Sequence, residues 1–314
     1  MRNTSNLDFS VVVPVYNEEG NISKLDREIK EVVARLGSYE IIYINDGSKD
    51  KSFQELKQLK GVRLINLNRN YGQATALDAG FKAATGEIVI SLDGDGQNDP
   101  KDIPKLLKKL KDEDLDVVAG WRKKRADKAG IKILTRTGRF LRSLLIKDGV
   151  HDTGCTLRVY KKDAVKSLDL QGEMHRYILA LLKWKGFKIG ELEVNDRARE
   201  HGTSKYGYNK AVRGFIDLTY MWFISKYSQR PLHMFGNLGI TSFIVGFFSA
   251  IFAIIDRING LSLNRNGWFF LFIFFMLAGI IFFSFGVALD LMIKIYLNTS
   301  PTEKRYYIRE TLEL

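Results

Sequence analysis

The chain has 314 residues, with 48 Lys and Arg against 36 Asp and Glu, so it carries a net charge of +12. That length allows one large domain or two smaller ones, and the single cysteine, Cys155, excludes an intrachain disulfide framework and a cysteine-based zinc site. The positive excess points to an anionic partner: phospholipid headgroups, a phosphorylated substrate or nucleic acid.

Between Phe9 and Trp121 the runs FSVVVPV, YEIIYIN, VRLINLN, EIVISLD and DVVAGW read as strands. Amphipathic stretches such as NISKLDREIKEVVARLG and DIPKLLKKLKDE lie between them. The alternation predicts an α/β fold, a mostly parallel Rossmann-like sheet with helices on both faces. The first run is too short, and too soon followed by NEEG, to be an export signal.

In open α/β sheets ligands bind beyond the carboxyl ends of the strands. The polar punctuation falls at those ends: PVYNEE after the first run, NDGSKD after the second, DGDGQ after the fourth. Each is an ordinary turn signal alone, but the fold makes the three converge on one rim. Asp93, Asp95 and Gln97 offer hard oxygen ligands suited to Mg²⁺ or Mn²⁺. A helix–loop–helix calcium site fails on spacing, because Asn98 stands at its glycine position and Pro104 at its terminal glutamate position. No G-x-x-x-x-G-K-[ST] phosphate loop is present.

After the fifth run comes GWRKKRADKAGIKILTRTGRFLRSLLIK, which from Ile131 reads as an amphipathic helix for a membrane surface. VNDRAREHGTSKYGYNK follows, then VRGFIDLTYMWFISKYSQRP, whose mix of aromatic and basic residues suits the headgroup level. LHMFGNLGITSFIVGFFSAIFAII and GWFFLFIFFMLAGIIFFSFGVAL are each long enough to cross a bilayer. The basic residues flanking this pair outnumber Arg257 and Arg265 of the short link, so the positive-inside rule puts both ends in the cytoplasm. The expected domains are a cytoplasmic domain over 1–210, a juxtamembrane segment over 211–231, spans at about 232–255 and 267–290 within 232–293, and a cytoplasmic tail over 294–314. In this reading the sheet is complete upstream of the first span.

VVVPVYNEE, NDGSKD, LNRNYGQATALDAGFKAATGEIVISLDGDGQNDP and HGTSKYG together resemble the family-2 glycosyltransferases of GT-A fold. The nearest resemblance is to the polyprenyl-phosphate group that includes dolichyl-phosphate mannose synthases and bacterial undecaprenyl-phosphate sugar transferases. The resemblance implies inverting transfer of a sugar from a nucleotide sugar, UDP favoured over GDP, to a polyprenyl phosphate of the cell envelope. It implies that Pro14, Tyr16, Glu18, Asp46 and Asp93 line the nucleotide pocket, Asp46 reading the base. Asp93 and Asp95 become the D-x-D pair, with Gly94 where Ala is common, and Gln97 assists at the metal. Arg122, Arg125, Arg136, Arg139 and Ser204 are implied for the acceptor phosphate, and Asp152, Arg199 and Lys205 for catalysis.

Two other readings compete: transfer to a neutral lipid hydroxyl such as diacylglycerol, and a non-enzymatic membrane-tethered anion-binding module. The second leaves the rim carboxylates unexplained, since without a metal they repel anionic lipid, and nucleic-acid binding meets the same objection. The sequence leaves the sugar, and the choice between monomer and homo-oligomer, open.

Overall fold

The structure is a computed structural model that describes residues 7–122, 149–197, 219–223, 226–227, 230–299 and 308–313. It divides into two units, Met1–Leu218 with Lys304–Leu314, and Thr219–Glu303.

The first unit is built on a sheet. Its chain order is β1 (Phe9–Val15), α1 (Ile22–Val33), β2 (Tyr39–Asn45), α2 (Ser52–Gln58), β3 (Arg63–Leu67), α3 (Gln73–Ala83), β4 (Ile88–Ser91), α4 (Ile103–Asp112) and β5 (Val117–Trp121). Then come β6 (Arg158–Lys161), α5 (Lys162–Lys166), α6 (Ile178–Trp184), β7 (Ile189–Glu193) and, far downstream, β8 (Ile308–Glu313). The strands lie in the order β7-β5-β6-β4-β1-β2-β3-β8.

Strand periodicity makes two hydrophobic layers. Val11, Val13 and Val15 of β1 join Ile41 and Tyr43 of β2 under α1 and α4, whose Leu25, Ile29, Leu106 and Leu110 are buried. Val12 of β1 and Ile42 and Ile44 of β2 face the other way, against α3, α5 and α6 through Leu77, Val165 and Leu179. The expected helices on both faces are present. Within α3, Gly80 is required: a Cβ there would sit 2.4 Å from Val12 Cγ1 and 2.7 Å from Ile44 Cδ1.

The five strands read from the sequence are all present, and β3-β2-β1-β4 is parallel. Two departures make the sheet mixed. β6 runs antiparallel between β4 and β5, separating strands that sequence order would make neighbours. The sheet is also not complete upstream of the spans: β8, from the tail, pairs antiparallel with β3 from Arg63↔Glu313 to Leu67↔Ile308. A strand edge left bare exposes unpaired amide and carbonyl groups. The tail covers that of β3.

The second unit contains α7 (Pro231–Ile258) and α8 (Gly267–Thr299), both long and apolar enough to cross a membrane. Twenty-eight residues of α7 rise about 42 Å, against about 30 Å of hydrocarbon. Beyond Pro231 at its start, the buried residues of α7 are small: Gly236, Gly239, Ser242, Gly246, Ser249 and Ala253. Large side chains point outward instead, among them Phe247 at 63% exposure and Phe274 at 63%. An apolar exterior over a small-residue seam is the inverse of a soluble helical hairpin and suits lipid. The seryl hydroxyls of Ser242 and Ser249 donate to Leu238 O and Val245 O within the helix, so these two buried hydroxyls are paired along the seam. Fully buried Asn266 closes the turn, its Nδ2 donating to Ala253 O and its Oδ1 accepting from Trp268 N. The protein is a membrane protein.

Candidate active site on the carboxyl rim of the sheet

The rim beyond β1, β2 and β4 is assembled by side chains that tie one loop to the next. The loop after β1 is stitched to the loop after β2: Asn17 N donates to Ser48 Oγ, Lys49 N to Asn17 Oδ1, and Glu18 N to Ser52 Oγ at 2.7 Å. Asn17 takes φ +56°, a backbone state that asparagine tolerates better than most residues. Pro14 is buried at the end of β1, while Tyr16 and Glu18 remain half-buried on the rim.

Asp46 is nearly buried, at 2% exposure. Its Oδ1 accepts from Tyr71 N at 2.7 Å, and its Oδ2 from Gly72 N and Asn70 Nδ2, both at 2.9 Å. Burial pushes its carboxyl up, and those two backbone amides partly offset the rise. The group that the resemblance assigns to base reading is thus engaged in holding the turn before α3.

β4 delivers Asp93 and Asp95 to the same rim. Gly94 lies against β1, where a Cβ would be 3.1 Å from Pro14 O and 3.1 Å from Val15 Cγ2. Gln97 N donates to Asp95 Oδ1, and Asp93 N to Asn98 Oδ1. Asp93 Oδ1 accepts from Gln73 Nε2 at 2.6 Å. Its carboxyl is pushed up from its ordinary 3.8 to about 7, chiefly by burial and then by the charge of Asp95. A hydrogen bond from Thr156 and the guanidinium groups of Arg158 and Arg122 pull in the opposite direction without matching it. A carboxylate whose ionisation a neighbouring carboxylate makes costlier is relieved by a cation beside it. Asp93 and Asp95 offer two carboxylates, and among the described residues no group of three or more His, Cys, Asp or Glu could hold a metal. That donor set fits Mg²⁺ or Mn²⁺, which keep positions for water and substrate phosphate.

Arg122, at the end of β5, does not stand alone. Its Nε donates to Asp152 Oδ2 at 2.9 Å and its Nη2 to Asp152 Oδ1 at 3.4 Å, and Asp196 Oδ1 is 3.7 Å from Nη1. Side-chain exposures of 11% and 7% make this an interior ion pair. Burial pulls the Arg122 guanidinium pKa down, but Asp152 more than compensates and it stays ionised. Both oxygens of Asp152, the residue that the resemblance implies for catalysis, accept from Arg122. Arg122 likewise reaches the rim already paired. Arg125, Arg136, Arg139, Arg199, Ser204 and Lys205 lie outside the described residues.

Several rim residues carried no signal as single letters. Arg158 is 2% exposed and donates to Cys155 O and Thr153 O, both at 2.8 Å, bracing the turn that bears Asp152 and Thr156. An arginine inside the apolar run TLRVY was the available clue. Arg197 bonds Glu28 and Asp99, each at 2.6 Å, and Asn195 N donates to Asp102 Oδ2 at 2.7 Å. Asn195 and Arg197 thereby fasten the chain after β7 to the turn that follows Asp95.

The description "Glycosyl transferase family 2" matches residues 10–169, which run from β1 through the rim described above to just past α5. The dodecaprenyl-phosphate galacturonate synthase of Rhizobium johnstonii is 32% identical across 98% of this chain and 94% of its own length. The chain belongs to glycosyl transferase family 2. It is a glycosyltransferase. The undecaprenyl-phosphate 4-deoxy-4-formamido-L-arabinose transferase of Proteus mirabilis is 33% identical over 96% of this chain and 93% of its own. Among solved structures, the glucosyl-3-phosphoglycerate synthase of Mycobacterium tuberculosis, crystallised with Mn²⁺ and UDP-glucose, superposes with a TM-score of 0.54 at 20% identity. The match covers 69% of this chain and 79% of that one and shares the GT-A architecture.

Proposed function

We propose that this family-2 transferase moves a sugar, with inversion, from a nucleotide sugar, UDP-linked in preference to GDP-linked, to a membrane polyprenyl phosphate. The observation that carries the reading is the Asp93–Asp95 pair, held unneutralised on the rim where a cation and a diphosphate complete it. The full-length relatives named for polyprenyl-phosphate sugar transfer support the acceptor. The Mn²⁺ and UDP-glucose of the like-folded mycobacterial enzyme are in keeping with the donor.

Pro14, Tyr16 and Glu18 line the nucleotide pocket, and Asp93, Asp95 and Gln97 hold Mg²⁺ or Mn²⁺. The chemistry that such a cation supplies is neutralisation of charge on the departing diphosphate. An acceptor phosphate oxygen forms the new bond to the anomeric carbon as the bond to the diphosphate breaks and its electron pair leaves with the nucleotide. A phosphate monoester is largely dianionic at neutral pH, so the attack needs little help from a base. Asp152 therefore serves by aiming Arg122, and Arg122, Arg125, Arg136, Arg139 and Ser204 receive the acceptor phosphate. Arg199 and Lys205 add positive charge as the diphosphate departs.

The domain lies in the cytoplasm over 1–210, followed by the juxtamembrane segment 211–231, the two spans and the tail. Pairing of β8 with β3 supports this arrangement, because a tail that joins the domain's sheet requires an even number of crossings between them. The test incubates the purified protein and Mn²⁺ or Mg²⁺ with labelled nucleotide sugars and, separately, undecaprenyl phosphate, undecaprenol or diacylglycerol. Label is expected in undecaprenyl phosphate alone and none in excess EDTA; label in the neutral lipids alone overturns the acceptor.

A further inference from the structure

The turn between β3 and α3 belongs to neither acidic cluster, yet it touches both. On one side it is clamped to Asp46 by three donors, Tyr71 N, Gly72 N and Asn70 Nδ2. The approach is close: a Cβ on Gly47, φ +65°, would sit 2.4 Å from the carbonyl carbon of Arg69 and 2.5 Å from Asn70 N. Gly72 takes φ +95°, which turns the chain directly into α3. On the other side the first residue of that helix, Gln73, donates through Nε2 to Asp93 Oδ1 at 2.6 Å.

We propose that Gln73 is a positioning residue that fixes the Asp93 carboxylate for cation binding, with Asp46 acting through the Asn70–Gly72 turn to hold Gln73 in place. The inference deepens the proposed donor site and rests on it. The chemistry of the donor matters. A neutral amide occupies one oxygen of Asp93 and orients the other, leaving the full negative charge for a cation. A lysine or arginine at the same distance would orient the carboxylate equally well but would compete with the metal for its charge. Thr156, which also bonds Asp93, is neutral too.

Partners that orient a metal-binding carboxylate typically contribute about 10- to 100-fold in metal affinity. The experiment measures Mn²⁺ binding by electron paramagnetic resonance on the full-length protein in detergent, with UDP or GDP present, for wild type, Gln73→Met, Gln73→Lys and Asp46→Asn. Gln73→Met keeps the side-chain length and removes the donor, and is expected to weaken Mn²⁺ about tenfold. Gln73→Lys restores a donor and is nevertheless expected to bind Mn²⁺ more weakly than Gln73→Met, which a merely structural role would not produce. Asp46→Asn, which loses acceptor capacity toward the turn, is expected to follow Gln73→Met. Wild-type affinity in Gln73→Met, or Gln73→Lys binding as well as Gln73→Met, overturns the inference while leaving the donor site intact. Absence of nucleotide-linked Mn²⁺ binding in the wild type itself overturns both. Circular dichroism of each variant separates loss of binding from loss of fold, and the comparison is made between variants that fold.

Discussion

Asp93 makes cation binding at the rim dependent on pH in a direction that follows from its surroundings. Its carboxyl is raised from 3.8 to about 7, first by burial and second by Asp95. Since a cation binds the ionised form, protons and metal compete for the same oxygen. With a pKa of about 7, roughly nine-tenths of the group is ionised at about pH 8 and roughly one-tenth at about pH 6, so metal affinity should fall about tenfold across that interval. Folding without metal should show the opposite preference. A carboxyl whose folded pKa lies above its unfolded value binds its proton more tightly when folded, so the contribution of Asp93 to stability is greatest below about pH 4, declines as pH rises toward about 7, and levels off above. A metal that binds only the folded state should therefore raise the melting temperature more at about pH 8 than at about pH 6. The assay is a Mn²⁺ titration with UDP at several pH values, on wild type and Asp93→Asn. Asparagine cannot titrate, so the variant should bind weakly with a flat profile. Equal Mn²⁺ affinity for the wild type at both ends of the interval, or an unchanged pH profile in Asp93→Asn, would refute the assignment of the titration to this group.

Arg122→Leu leaves Asp152 buried without its partner and should cost about 3–5 kcal/mol in urea unfolding, whereas the Arg122→Leu/Asp152→Leu double variant should recover part of that loss. Deleting 304–314 removes β8 and bares the β3 edge; a drop in stability of about 2–4 kcal/mol and faster aggregation are expected, with nucleotide binding retained, and an unchanged melting temperature would contradict the pairing. In the hairpin, Gly279→Val places a Cβ 2.7 Å from the Phe243 ring and should destabilise the helix pair by about 1–3 kcal/mol, read as lower resistance to proteolysis in detergent.

Local pattern determined much of this protein. Alternation of apolar residues wrote out β1 to β5, and the amphipathic repeats wrote out α1 and α4, because each element needs one stripe to bury and one to wet. Two apolar segments of sufficient length announced α7 and α8, since a bilayer accepts no other kind of lone segment. D-G-D at the end of a β run announced the carboxylate pair, because strand ends in such sheets collect ligands. What sequence could not decide was which distant pieces meet. β6 lies between β4 and β5, and β8 returns from beyond the spans to β3, because strand neighbours are chosen by ladder hydrogen bonds and shared layers rather than by order in the chain. The same holds for charges. Arg122 and Asp152 read as separate charges until the fold brings them to 2.9 Å, and nothing in the sequence shows that the oxygens of Asp46 accept from the turn before α3. A side chain's chemistry is fixed by its covalent type, but whether its lone pairs and charge remain available is set by partners that only the closed tertiary structure supplies.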